Sequence, residues 1–230
     1  MEPVYYNLNM RSKRSARAQA RRVAILRSAT AAFRRRGYHG ASVEEIARAL
    51  RMTKGNLYYY FRDKEEILFA CHDYSLGLAL GLLDEVRRAP VGPDERLRRL
   101  VDGFVRLIAD ELHGTALTLE IDALGPARRR RVVARRDRFD RGLRRIMLEG
   151  MRQGVFAGGD AKLLAFAVMG AVNWVSRWYH PAGAARSDEI ARVFADYLVA
   201  GLTARSRPAS ARAPRRRAAP RVRAAGPASR

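Results

Sequence analysis

The chain has 230 residues, and its 45 lysines and arginines against 23 acidic residues give a formal net charge of +22. This excess of cations favours a polyanionic partner, either nucleic acid or an anionic membrane surface. A single cysteine excludes an intrachain disulfide, and no apolar leader or run of ~20 apolar residues is present, so we predict a cytoplasmic protein without membrane insertion.

Enzyme motifs are missing from the sequence. The four histidines are scattered, and neither a metal-binding H-x-x-x-H or paired C-x-x-C nor a nucleophile elbow or phosphate-cradling glycine loop occurs. Cys71 and His72 are neighbours, but adjacent residues of a helix point apart, which argues against a catalytic dyad. We therefore predict that the protein is not an enzyme and has no cofactor.

The N-terminal region begins with a cationic segment. Residues 1–18 are predicted to form a flexible basic arm that is able to follow backbone phosphates. A helix follows and is expected to end near Gly37, because a glycine after the three cations of 34–36 is typical of a helix C-cap.

A short amphipathic helix comes next. Its apolar residues Val43, Ile46, Ala47 and Leu50 have the spacing of one buried stripe on a 3.6-residue period. Ser42, followed by Glu45, forms a capping box that fixes the helix start.

A second short helix, Lys54–Tyr60, is predicted after a three- or four-residue turn, with Thr53 as its cap. Gly55 and Asn56 are poor helix formers, so a need other than helix propensity selects them. A glycine here lets the backbone approach a nucleic acid closely. The polar side chains that we expect to meet phosphates or base edges are Lys54, Asn56, Tyr58 and Tyr60. The alternative is a small three-helix core with solvated polar tips.

The run from Ile25 to Leu68, "IL..AT.AF...GY...SVEEIA.AL.MTKGNLYYYF.DKEEIL", resembles the DNA-binding domain of TetR-family transcriptional regulators. The resemblance implies that the glycine-started helix enters the major groove and that Tyr58 and Lys64 touch phosphates. It also implies that Ser42, Lys54, Gly55 and Asn56 lie nearest the DNA.

The remaining chain keeps a helical pattern, without alternating strands or internal repeats. The predicted helices span residues 63–88, 94–112, 115–124, 127–153, 160–179 and 188–204. The fold class is therefore all-α. We assign residues 19–63 to a helix-turn-helix DNA-binding domain of three helices and residues 64–205 to a larger helical domain for effector binding and dimerisation.

The last two predicted helices favour a homodimer. Residues 160–179 are apolar on more than one face, so they need a partner in addition to their own core. With the last helix they suit a two-fold contact, as the family resemblance also implies. The alternative is a buried core helix in a monomer. Asn173 in this apolar run is interpreted as a satisfied interface amide rather than a ligand contact.

The segment NWVSRWYHPAG, residues 173–183, looks like the C-terminal motif of TetR-type regulators that respond to acyl-CoA thioesters. Trp174 and Trp178 share a helix face and suit the wall of an apolar pocket, and Arg177 suits an anionic headgroup. Dimer packing is an alternative role for both tryptophans. Similarly, the arginine-rich stretch 128–136 suits either ligand phosphates or a solvated helix face.

Residues 206–230 contain arginine, alanine and proline with no acidic residue, so we predict a disordered basic tail that is either a nonspecific phosphate anchor or simply solvated.

The predicted function is that of a repressor, which a small-molecule effector releases from a double-stranded DNA operator. This regulator is expected in a bacterial cytoplasm, associated with the nucleoid when bound. The alternative is a nonspecific architectural DNA-binding protein, which would explain the charge but not the long apolar C-terminal region.

Overall fold

A computed structural model describes residues 4–111 and 120–203, with side chains for residues 16–110 and 120–203. The predicted tail, 206–230, and the first half of the predicted helix 115–124 lie outside the described residues, and the second half contains a 3₁₀ turn instead of an α-helix. Within the described ranges the regular structure is helical, which confirms the all-α fold class. One isolated bridge between Phe156 and Thr203 is the β-type pairing found there.

The α-helices follow one another along the chain with short connections. They are α1 (Val4–Gly40), α2 (Val43–Ala49), α3 (Lys54–Tyr58), α4 (Lys64–Arg88), α5 (Pro93–Arg106), α6 (Pro126–Arg152), α7 (Ala161–Trp178) and α8 (Ser187–Leu202). A π-helical turn, Leu107–Glu111, extends α5, and a 3₁₀ turn, Ile121–Ala123, precedes α6.

Helix α1 includes most of the segment that we assigned to a flexible arm. Residues 4–18 continue α1 as helix, since no proline or glycine interrupts the chain between residues 4 and 36. At its other end Gly37 has φ 69° and ψ 170°, which interrupts the helix at the predicted glycine. A larger residue would be strained at this φ, and its Cβ would lie only 2.8 Å from Oε1 of Glu120.

Two hydrophobic cores share helix α4. The first unites α1, α2 and α3 with the start of α4, including Ile67, Leu68 and Cys71. The second unites α5, α6, α7 and α8 with the end of α4, from Ala79 to Val86. Because side chains of α4 pack in both cores, a rotation of α4 in one domain must disturb the packing of the other domain.

The described part of the chain contains one helix, α4, that is long and apolar enough to cross a membrane by length and hydropathy. Of the apolar window in α4, 56% is buried inside the protein, as is usual for a core helix.

The arginine-rich start of α6 is fixed beside α4 by ion pairs. The Arg128 guanidinium lies 3.1 Å from the Glu65 carboxylate, and that of Arg135 lies 2.6 Å from Asp73. Such partly exposed pairs contribute at most about 1 kcal/mol each, but they fix the orientation of the two helices. These two members of the 128–136 stretch are thus occupied by carboxylates of the protein.

His72 is a fully buried histidine in α4, and neither ring nitrogen has a hydrogen-bond partner. Burial, followed by the nearby Arg136 charge, lowers its pKa from 6.5 to about 3. Below pH 6.5 His72 is therefore protonated in the unfolded chain but stays neutral in the folded protein. The free energy of unfolding falls as the pH drops from 6.5 towards 3.

A His72→Leu variant is expected to lose less stability in acid than the unsubstituted protein. The difference in the free energy of unfolding between pH 8 and pH 5 should shrink by about 2 kcal/mol, because one pKa unit corresponds to 1.36 kcal/mol. Urea unfolding of both proteins at both pH values measures this difference. If the free energy of unfolding changed with pH by the same amount in the two proteins, His72 would not contribute to the loss of stability in acid.

Candidate DNA-binding surface and effector cavity

Helices α2 and α3 form a helix-turn-helix whose starts are capped as predicted. The Ser42 hydroxyl accepts a hydrogen bond from the Glu45 backbone N–H at 3.0 Å, and Thr53 accepts one from Asn56 at 3.2 Å. In the intervening turn Arg51 takes a left-handed φ of 52°. These local bonds fix the angle at which α3 leaves the turn.

The inner side of α3 anchors the helix in the first core. Leu57 and Phe61 are 0% and 1% exposed. The Arg22 guanidinium lies 4.3 Å from the Phe61 ring centre and donates a hydrogen bond to the Tyr60 carbonyl. Helix α3 is therefore held by α1 from behind, with its opposite side in solvent.

The exposed side of α3 carries most of the predicted DNA-binding residues. Lys54, Gly55 and Asn56 are exposed at the start of the helix, next to the exposed caps Ser42 and Thr53. Tyr58 is 40% exposed, and Lys54 Nζ lies 5.8 Å from its ring centre. These residues form one polar surface, which we call the α3 surface: Ser42, Thr53, Lys54, Gly55, Asn56, Tyr58 and Tyr59.

Tyr60 is less exposed than predicted. Tyr60 was predicted to reach DNA, but its side chain is half-buried and packs against the first core, whereas Tyr59 is 86% exposed. Tyr60 follows Leu57 by three residues, a spacing that places both on one helix face, so the sequence did contain this signal. The two rings meet edge to face, with centres 5.3 Å apart.

Lys64 has intramolecular partners at the start of α4. Its ammonium donates to the Ala41 carbonyl at 3.0 Å and lies 4.5 Å from the Tyr38 ring centre. Lys64 thus joins α4 to the turn between α1 and α2, and its predicted contact with a phosphate would be an additional role.

Lys54 forms an exposed ion pair with Glu44 of α2, at 2.5 Å. The hydrogen bond with Lys54 lowers the pKa of the Glu44 carboxyl, and the same bond raises the pKa of the Lys54 amine. Both groups are in solvent, so a phosphate can replace Glu44 at little cost.

Gly55 has room for a larger residue within the protein itself. A Cβ at this position would meet only the Thr53 hydroxyl, at 4.0 Å, and the backbone has no positive φ. We therefore expect Gly55→Ala to fold at least as stably as the unsubstituted chain, since alanine favours a helix.

The same Gly55→Ala substitution is expected to weaken DNA binding by about tenfold or more, because the methyl group would separate the α3 backbone from the duplex. Thermal unfolding and fluorescence anisotropy with an operator duplex measure the two effects. Unchanged affinity would show that DNA does not approach the backbone at Gly55.

A cavity of about 480 Å³ lies between α4, α6 and α7. Its walls include Leu76, Ala79, Phe139, Phe166 and Met169. The polar groups of its lining are Arg136, Asp137, Asp140, Arg144, Lys162 and Asn173. Six of the eleven lining residues are polar or charged, so the cavity suits an amphipathic small molecule better than a wholly apolar one.

Asn173 lines this cavity, and its side-chain oxygen Oδ1 is buried without a hydrogen-bond partner. The structure therefore differs from our interpretation of Asn173 as a satisfied interface amide. An unpaired buried acceptor costs about 1–3 kcal/mol, so its presence beside a cavity calls for a ligand or an ordered water.

A second cavity of about 370 Å³ lies between α4, α5 and α8. Its charged lining is largely paired within the protein. Arg98 contacts both Glu95 and Asp196, and Arg99 pairs with Glu95 at 2.8 Å. The cavity between α4, α6 and α7 is the better candidate for a ligand, because the unpaired Asn173 oxygen lines it.

The predicted ligand residues of α7 do not line the cavity between α4, α6 and α7. Trp174 and Trp178 are 63% and 46% exposed and line none of the cavities described above. Arg177 borders a separate cavity of about 140 Å³ with Arg34 and Glu120, where the first domain meets α7. Burial and the charge of Arg177 lower the pKa of Arg34, whose guanidinium donates to the Ser176 carbonyl.

An exposed apolar stripe covers the outer side of α7 and α8. Its large members are 46–79% exposed. They are Leu163, Trp174, Trp178, Val193 and Tyr197. Ala167 and Gly170 lie between Leu163 and Trp174 at helical spacing, so another helix can approach α7 closely there. We call this stripe the α7–α8 face.

Comparison with known proteins agrees with this architecture. Residues 25–71 match the family described as bacterial regulatory proteins of the tetR family, and residues 90–202 match the tetracyclin repressor-like C-terminal domain. The structure of PfmR, a TetR-family regulator from Thermus thermophilus, is 34% identical, with a TM-score of 0.68. That match covers 78% of this chain and 99% of PfmR.

Two further relatives are similar over most of their length. A structure of AibR in complex with isovaleryl coenzyme A and operator DNA is 30% identical, with a TM-score of 0.65, and the match covers 79% of this chain and 98% of AibR. The transcriptional repressor KstR2 of Mycolicibacterium smegmatis is 24% identical over 80% of this chain and 91% of KstR2. These relatives are regulators and not enzymes. The chain belongs to the TetR family of bacterial transcriptional regulators.

Proposed function

We propose that this protein is a homodimeric, cytoplasmic repressor that binds an operator through the α3 surface of each protomer. The observation that carries the proposal is that α3 is anchored from behind by Leu57 and Phe61 while Lys54, Gly55 and Asn56 stay exposed. A helix of this kind can enter the major groove without reorganising its own core.

The α7–α8 face supports a dimer. An apolar stripe of this length on a helix pair is unusual on the surface of a monomer, and a two-fold axis lets it cover itself. Dimerisation presents two α3 surfaces at once. A helix-turn-helix dimer matches successive major grooves when its recognition helices are about 34–36 Å apart.

The effector is proposed to be an acyl-CoA thioester bound between α4, α6 and α7. The cavity offers apolar side chains for an acyl chain and Lys162 as a cation for a phosphate, while Arg144 is held in an ion pair with Asp140. Support also comes from AibR, which was solved with isovaleryl coenzyme A and operator DNA, and from similarity to a Bacillus subtilis fatty acid metabolism regulator, 24% identical over 43% of this chain.

Helix α4 is proposed to connect the effector to the DNA. It lines the cavity with Leu76 and Ala79 and begins at Lys64, which is bonded to the turn before α2. An effector can release DNA only by its difference in affinity between two states of the dimer. About 5.5 kcal/mol of such difference would change the ratio of the states from 99:1 to 1:99.

The test is fluorescence anisotropy with a duplex from the protein's own upstream region and a shuffled duplex of equal length, each with and without acyl-CoAs. We expect preference for the upstream duplex, release by acyl-CoA, and an affinity that falls ~10³ to 10⁵-fold between 50 and 200 mM salt for about 6–10 phosphate contacts.

A nonspecific architectural DNA-binding protein is the second candidate, and the net charge of +22 favours it. Equal affinity for the upstream and shuffled duplexes, with no response to acyl-CoAs, would select this alternative over the repressor.

A further inference from the structure

The last turn of α7 is capped by the DNA-binding domain. The final carbonyls of a helix have no partner within the helix, and those of α7 include the carbonyl of Ser176. The Arg34 guanidinium of α1 donates a hydrogen bond to this carbonyl. A cation is also favourable at the negative end of the helix dipole. Arg34 therefore completes a helix of the C-terminal domain from within the DNA-binding domain.

The same end of α7 borders the effector cavity. Met169 and Asn173 line the cavity between α4, α6 and α7, and Ser176 follows Asn173 by about one turn. The buried Ser176 hydroxyl donates a hydrogen bond to the Asn173 carbonyl at 2.8 Å. A displacement of α7 at the cavity therefore moves the carbonyl to which Arg34 is bonded.

The junction between α1 and α7 leaves room for such a displacement. The cavity of about 140 Å³ lies there, with Arg34 and Tyr38 of α1 on one side and Glu120 and Arg177 of the C-terminal domain on the other. Close packing resists small shifts of neighbouring elements, whereas a void permits them. The end of α7 can thus move together with Arg34 without repacking either core.

Helix α1 connects this contact to α3. Arg22 lies twelve residues before Arg34, or about 18 Å along the helix axis. No proline or glycine lies between them, so this part of α1 has no site for a kink. The Arg22 guanidinium donates to the Tyr60 carbonyl at 3.2 Å and lies 4.3 Å from the Phe61 ring centre. A shift of α1 at Arg34 therefore reaches the end of α3.

We propose that α1 is a second connection between the effector cavity and the DNA-binding surface, in addition to α4, and that Arg34 is the positioning residue that attaches α1 to the end of α7. A compound that shifts α7 in the cavity moves α3 through Arg34 and Arg22. The inference rests on the proposed functions of the cavity and of the α3 surface, and it adds a route by which the two are coupled.

The first experiment measures operator affinity by fluorescence anisotropy with and without decanoyl-CoA. Arg34→Met keeps a long side chain but removes the charge and the N–H donors. Without decanoyl-CoA we expect this variant to bind the operator within about threefold of the unsubstituted protein, since Arg22 still holds α3. The factor by which decanoyl-CoA weakens operator binding should fall at least about fivefold.

Two further variants separate the hydrogen bond from a general effect of substitution. Arg34→Lys keeps a cation that can donate to the Ser176 carbonyl, so it should retain most of the release by decanoyl-CoA. Arg35→Met is the matched control, because Arg35 is the next cation in the chain but pairs with Glu45 of its own domain at 2.9 Å. It should leave the release factor unchanged. Thermal unfolding reports whether each variant is folded.

The second experiment needs no acyl-CoA. The two tryptophans of the chain, Trp174 and Trp178, lie on either side of Ser176 in α7, so their fluorescence reports the surroundings of this end of the helix. We expect the operator duplex to change the emission of the unsubstituted protein and of Arg35→Met. The change should be much smaller in Arg34→Met, in which α1 is no longer bonded to α7.

An unchanged release factor in folded Arg34→Met would overturn the inference and leave the proposed function intact. The same holds for an equal change in emission in Arg34→Met and Arg35→Met, or for no change in the unsubstituted protein. If decanoyl-CoA does not release the operator from the unsubstituted protein, the proposed effector class is contradicted, and the emission decides the inference by itself. If the upstream duplex is not bound at all, the proposed function and the inference are both overturned.

Discussion

Replacing Lys54 and Asn56 together by alanine is expected to abolish specific operator binding while the protein stays folded and dimeric. Both side chains are exposed, and the Lys54 ammonium is paired with the exposed Glu44 carboxylate. A good contact with a base edge is worth about 1–3 kcal/mol, and a dimer makes each contact twice. Two residues in two half-sites therefore predict a loss of at least ~10³-fold in affinity.

Fluorescence anisotropy measures this loss, and circular dichroism reports the fold. Arg145→Ala is the matched control, because it also removes an exposed cation, but from α6 in the C-terminal domain. The control should change operator affinity only slightly. If the double variant bound the operator as tightly as Arg145→Ala does, the α3 surface would not be the DNA-binding surface.

Placing charges on the α7–α8 face is expected to separate the protomers and, with them, the two DNA-binding domains. Trp174 and Tyr197 are 63% and 79% exposed in a single chain, so Trp174→Glu with Tyr197→Glu is compatible with the fold of one protomer. In the dimer the carboxylates would be buried without partners, which is strongly unfavourable. The variant should have the mass of one 25.9 kDa chain.

The monomer is expected to bind the operator at least ~10³-fold more weakly, since it engages one half-site in place of two. Sedimentation equilibrium and anisotropy measure the two consequences. Val133→Glu is the matched control, because Val133 is 40% exposed on α6, outside the α7–α8 face. A glutamate variant that remained dimeric would place the dimer contact elsewhere.

The helices and their caps were predictable because the signals are local. Helix α6 was predicted as 127–153 and spans Pro126–Arg152, and the caps Ser42 and Thr53 both accept the expected backbone hydrogen bonds. Hydrophobic period and capping residues act within one or two turns of a helix, so they can be recognised without knowing what the helix packs against.

The positions of individual side chains depended on tertiary packing. Tyr60 is half-buried because it packs against the first core, and the backbone partners of Lys64 come from residues 23 and 25 positions earlier. Both faces of α7 carry apolar residues, so the sequence pattern could not predict that Trp174 and Trp178 lie on the exposed face and not on the face that lines the cavity. Asn173 gained its significance only when its neighbours in α4 and α6 were known.

Hydroxyl-radical footprinting of the operator tests most directly whether a symmetric pair of α3 surfaces reads the DNA. We predict two protected segments with centres separated by one helical turn, about 10–10.5 base pairs, or a multiple of it. Uniform protection along the duplex, or a single protected segment, would contradict this account.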